Sequence, residues 1–142
     1  MDKKPKTAKT WLDKLQAAAQ PVVKPAPMDF AGMKQGQIML IPTPRLIDEF
    51  VARLPAGTYM DVQAMRLALA KEQRAEVTCP VTTGFHLRTV AETAYEKHRL
   101  GAPLQDITPF WRVIDGKTPM TKKLACGTEF VRERRLAEGL EP

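Results

Sequence analysis

The chain has 142 residues, 44% hydrophobic and 27% charged, with a formal net charge of +6 and an isoelectric point near 9.5. That length supports one hydrophobic core rather than two, and no apolar run approaches the ~18 residues of a membrane-spanning helix. The two cysteines, Cys79 and Cys126, lie far apart with no CxxC or Cys/His cluster near either, which points to reduced thiols and argues against a disulfide framework or a structural metal site.

The first forty residues carry Lys3, Lys4, Lys6, Lys9, Lys14, Lys24 and Lys34 against Asp2, Asp13 and Asp29, four of the six net positive charges. Pro5, Pro21, Pro25 and Pro27 punctuate them, followed by Pro42 and Pro44, and proline interrupts both helix and sheet. The expectation is a basic, partly flexible extension over residues 1–40. It holds one short helix from Trp11 to Gln20, capped by Thr10, with Trp11, Leu12, Leu15 and Ala19 on one side. Such an arm either docks on the body or tracks phosphates. Met-Asp-Lys-Lys at the start is no secretory signal, so a cytoplasmic location is expected.

Residues 41–142 read as one mainly α domain with little strand and no internal repeat. Leu46, Ile47, Phe50, Val51 and Leu54 recur at helical spacing, and Pro55-Ala56-Gly57 stops that helix. Asp61 caps a second helix, whose apolar stripe is Val62, Met65, Ala68 and Leu69. Residues 76–84 have turn composition in Pro80, Thr82, Thr83 and Gly84. A third helix follows, burying Leu87, Val90, Ala91, Ala94 and Tyr95 and ending at Gly101 and Pro103. Phe110 to Ile114 reads as a short extended segment before an Asp115-Gly116 turn. Residues 120–127 are irregular and basic. Thr128 caps a last helix running to Glu138 and closed by Gly139.

Several short motifs, in this order, resemble the DNA-binding domain of the O6-alkylguanine-DNA alkyltransferases. They are Leu54-Pro55-Ala56-Gly57, Leu87-Arg88-Thr89-Val90-Ala91, Pro109-Phe110-Trp111-Arg112-Val113-Ile114 and, downstream, the span from Gly127 to Glu138-Gly139. The resemblance covers roughly the last hundred residues. It implies a winged-helix-like domain whose helix-turn-helix meets DNA, flips a base out of the stack and fills the gap with an arginine, here Arg88. The family's alkyl transfer needs an activated thiolate, but Phe110 stands at the cysteine position and Trp111 at the histidine position. Glu138 matches the glutamate that would orient that histidine. The resemblance is therefore to the alkyltransferase-like proteins, which bind damaged guanine without repairing it and flag it for nucleotide excision repair.

On that reading the chain is no enzyme and needs no cofactor or metal. Its partners are double-stranded DNA, with or without O6-alkylguanine, and nucleotide excision repair proteins, and a monomer is expected. Pro109, Phe110, Trp111, Tyr59 and Glu138 would line a lesion pocket in which aromatic rings stack on the base. Arg88, Thr82, Thr83, His86, Arg112, Lys117, Lys122 and Lys123 would hold DNA. The pattern departs from the family in places. Asp61-Val62 align with its tyrosine, Asp115 replaces its hinge asparagine, and the connection from Arg88 to Pro109 is longer. The run Arg132-Glu133-Arg134-Arg135 reads as exposed surface. Two other readings compete: a winged-helix domain that binds ordinary DNA or a protein, and a thiol enzyme using Cys79 or Cys126, the latter activated by Lys122 and Lys123.

Overall fold

Residues 9–142 are described by the computed structural model; the lysines at positions 3, 4 and 6 of the expected basic arm lie outside this range. Local capping chemistry sets most helix starts. Thr10 and Asp13 form a reciprocal capping box at the start of helix α1 (Trp11–Gln16). The helix stops four residues short of the expected Gln20. Thr43 accepts from the Leu46 amide ahead of α2 (Pro44–Ala52), which has proline in its first turn. Asp61 accepts from the Ala64 amide ahead of α3 (Val62–Glu72), as its sequence position predicted. Helix α4 (Pro80–Arg99) begins seven residues earlier than Leu87, where its buried stripe starts to be legible, so the expected turn over residues 76–84 is mostly helix. The last helix, α5 (Gly127–Ala137), starts after Cys126, and Thr128 lies inside it instead of capping it. It closes through Gly139 (φ 77°), with the Leu140 amide donating to the Arg135 carbonyl and the Gly139 amide to that of Leu136.

The described residues form a mainly α structure of five helices with one small sheet. The sheet has strands β1 (Val22–Pro25), β2 (Ile38–Ile41) and β3 (Val77–Thr78), with β2 in the centre, antiparallel to β1 and parallel to β3. Strand β2 therefore crosses the boundary expected at residue 40. Residues 9–40 are built into the body: Leu15 and Leu40 join the main core, and Ala26, Met33 and Met39 form a smaller one. Sequence reading missed this because proline and lysine dominate the segment, while β1 is an exposed edge whose pattern carries no alternation.

The main core draws Ile47 and Val51 from α2, Met65 and Leu69 from α3, and Leu87, Val90, Ala91 and Ala94 from α4, all nearly inaccessible. These are the positions that helical periodicity picked out. Phe110, Trp111, Val113, Ile114 and Val131 complete it from the C-terminal side. Among the described residues no helix is long and apolar enough to cross a membrane.

Candidate functional site

Phe110–Arg112 is a single 3-10 turn, where an extended segment was expected. The turn follows Pro109 (φ −81°, ψ 69°), and the Arg112 and Val113 amides bond back to the carbonyls of Pro109 and Phe110. Its geometry drives the aromatic pair inward. Phe110 has no exposed surface and Trp111 is 3% exposed. Phe110 meets Trp111 edge-on at 5.4 Å between ring centres and stacks on Phe130 at 6.0 Å; Phe130 in turn meets Tyr95 edge-on at 5.1 Å. Pro109 is buried as well. The stacking wall expected of Phe110 and Trp111 is thus filled from within: both rings face other rings and offer a base no free face in this conformation.

Glu138, expected to line the same pocket, is a four-donor acceptor. It takes the Trp111 indole Nε1 at 2.6 Å, the Gly57 amide at 2.9 Å, and Arg112 Nε and Nη2, each at 2.9 Å. Arg112 also donates Nη1 to the Leu54 carbonyl at 2.6 Å. Burial works against the carboxylate's charge, but Arg112, the Gly57 amide and the Trp111 indole outweigh it together and hold Glu138 down to about 2. Arg112 therefore joins the end of α5 to the turn after α2, and it is spent on an internal ion pair with only 15% of its side chain exposed, instead of meeting phosphate.

Arg135 corrects the reading of residues 132–135 as surface. It is 3% exposed, donates to the carbonyls of Trp111, Ile114 and Glu141, and lies 4.2 Å from the centre of the Tyr59 ring. Tyr59 is thereby committed to a cation–π contact. Burial, then the nearby Asp115, raises its hydroxyl above the ordinary range. Asp115 caps its own turn, accepting from the Lys117 and Thr118 amides and the Thr118 hydroxyl. Those bonds outweigh its desolvation and lower its pKa. Lys117 is exposed in that turn, whose Gly116 packs on Arg132 of α5.

The other predicted residues gather around the first half of α4. Val81, Phe85 and Arg88 stand at i, i+4 and i+7 on one side of the helix, with Leu87, Val90 and Ala91 buried on the other. Phe85 is 71% exposed and Val81 52%. Arg88 is held rather than free: its guanidinium lies 5.4 Å from the Trp11 ring centre, its Nη2 donates to the Lys123 carbonyl at 3.3 Å, and its Nε sits 3.6 Å from the buried Glu92 carboxylate. Lys122 and Lys123 are exposed beside it. His86 is half-buried, and burial lowers its pKa, so it is neutral near pH 7. Thr82 is half-buried against the Cys79 thiol, and Thr83 is fully buried with its hydroxyl on the Cys79 carbonyl, so Thr83 serves the helix start and cannot reach a phosphate.

A cleft of about 410 Å³ runs along this helix between Val81, Phe85 and Arg88 on one side and Phe30, Met120 and Lys123 on the other. Its charged lining residues, Arg88 and Lys123, are both basic. Sequence reading missed Phe85, because Gly84 made the segment look like a turn. The available signal was the Val81-Phe85-Arg88 spacing, which is helical and opposite in phase to the Leu87 stripe.

Cys126 does not show the activation expected from Lys122 and Lys123. Burial and the Glu92 carboxylate push its thiol up to about 11. Cys79 has the Thr82 hydroxyl at 3.2 Å as its side-chain partner. No group of three or more His, Cys, Asp or Glu is placed to hold a metal among the described residues. Comparison of the chain with protein-family models, curated proteins and solved structures finds no match to any of them.

Proposed function

We propose that the protein is a non-catalytic protein that binds ordinary duplex DNA. In this reading α3 and α4 act as the helix-turn-helix of a winged-helix-like domain, and the first half of α4 is laid on duplex DNA. The observation that carries it is the exposed pair Val81 and Phe85, in phase with half-buried Arg88, beside a cleft whose charged lining residues, Arg88 and Lys123, are cations. Such a surface combines phosphate neutralisation with apolar contact in a groove. The non-catalytic part rests on Phe110 and Trp111, which have neither a nucleophile nor a base, and on a Cys126 thiol that stays protonated at neutral pH. Ordinary duplex binding is favoured over lesion recognition at Pro109 to Val113, because a flipped guanine there would have to displace two core aromatics.

Fluorescence anisotropy of a labelled duplex, repeated across a salt series, tests this. The logarithm of the affinity should fall linearly with the logarithm of salt, by about 0.9 per phosphate neutralised. Lys123→Glu and Phe85→Ala should weaken binding, while Lys117→Ala, at the α5 side of the molecule, should not. A duplex carrying O6-methylguanine should bind no more tightly than the plain one. Tighter binding of the lesion would restore the pocket reading, and no binding at low salt would end the proposal.

A further inference from the structure

A second groove shares Phe85 and Arg88 with the cleft just described. It encloses about 610 Å³ between α1 and α4, within the size range of small-ligand sites. Its lining includes two aromatic side chains, Trp11 and Phe85, and the apolar Ile41, Pro42 and Pro44. Its charged residues are Lys9, Lys14 and Arg88, with no aspartate or glutamate among the described lining residues. The N-terminal segment makes this groove. The capping box fixes the start of α1, and buried Leu15 anchors it, so that Trp11 is presented next to α4. The Trp11 ring carries the Lys14 ammonium at 4.4 Å and the Arg88 guanidinium at 5.4 Å. Arg88 Nε is buried without a hydrogen bond but faces the Glu92 carboxylate at 3.6 Å, so its charge is met from within.

Two aromatic side chains, apolar Ile41 and prolines, and the cations Lys9 and Lys14 with no acid in the lining match a flat π-system that carries an anion. We propose that this groove holds one unpaired nucleobase, stacked on Trp11 in place of a cation now lying over that ring, with its flanking phosphates on Lys9 and Lys14. The inference rests on the duplex-binding reading, since Phe85 and Arg88 border both surfaces and make them continuous. An unpaired base at the edge of a bound duplex would enter the groove directly, without disturbing the closed aromatic core at Phe110. Stacking against aromatic side chains is tolerant of base identity, so the site takes any extrahelical or single-stranded base and has no need of a particular lesion.

The test compares a short paired duplex with the same duplex carrying one extra, bulged adenine, using the full chain and anisotropy at fixed salt. The bulged duplex should bind about tenfold more tightly and quench Trp11 emission. Trp11→Phe should keep the preference and lose the quenching. Trp11→Ala should bring the bulged and paired duplexes to equal affinity, and Lys14→Glu should weaken the preference. If both duplexes bind equally, the groove assignment is overturned and duplex binding stands. If neither binds, the duplex reading fails and takes this inference with it. A preference that survives Trp11→Ala would put the base elsewhere and overturn the assignment. So would protection of Trp11 from acrylamide quenching by an acidic aromatic peptide but not by the bulged duplex, which would make the groove a protein-docking site.

Discussion

A carboxylate that accepts from four N–H groups titrates far from its usual range, and Glu138 is such a group. Its pKa in the folded chain, about 2, lies below the ordinary 4.5. Its contribution to stability is therefore fully present above about pH 4.5 and is lost as pH falls toward 2; it amounts to roughly 3 kcal/mol. Glu138→Gln should lower the melting temperature at pH 7. The gap between wild type and variant should close between pH 4.5 and 2, as followed by circular dichroism melts. Parallel curves over that range would mean the carboxylate is not held as described. Glu138 was singled out in the sequence, yet for a partner it does not have. The spacing located it, but the Gly57 amide and the adjacent Trp111 and Arg112 come from two distant points of the chain and leave no local trace. Arg135 was hidden for the same reason. A basic run on a helix looks solvated, and only tertiary structure reveals that one of its members turns inward onto three carbonyls.

The elements with strong periodicity were legible. Helices α2 and α3 and the glycine closure of α5 follow from apolar spacing, caps and turn residues that act within a few positions of each other. The start of α4 was not, since Pro80 and Gly84 read as breakers, although proline is well suited to a first helical turn. The segment Phe110 to Ile114 reads as extended because aromatic and β-branched residues favour strands; here Pro109 and tertiary packing impose a 3-10 turn over Phe110–Arg112. That turn decides whether Phe110 is a stacking wall or a core residue. Phe110→Leu keeps apolar volume but loses the contacts with Trp111 and Phe130, so it should destabilise the fold by roughly 1–2 kcal/mol. It should leave the ratio of affinities for O6-methylguanine and plain duplexes unchanged. A variant that folds as well as wild type but shifts that ratio would put Phe110 back in a binding pocket.

At the scale of the molecule, the N-terminal segment was expected as a partly flexible extension that docks on the body or tracks phosphates, and residues 9–40 pack into the fold. Strand β2 is the centre of the sheet, and Leu15 and Leu40 belong to the main core. A chain beginning at residue 41 should therefore lose its cooperative thermal transition; a sharp melt near the full-length temperature would contradict that. The same integration gives the molecule two separate ends. One, around Glu138, Arg112, Arg135 and Tyr59, is locked by internal bonds. The other, around Val81, Phe85, Arg88 and Lys123, is basic, apolar and open. The proposal that the open end meets DNA is tested most directly by backbone amide NMR shifts on titrating the labelled chain with a plain duplex. Shifts should be concentrated at residues 81–88 and 120–123, with residues 132–142 unmoved. Shifts centred on residues 109–115 and 138, or none at all, would contradict it.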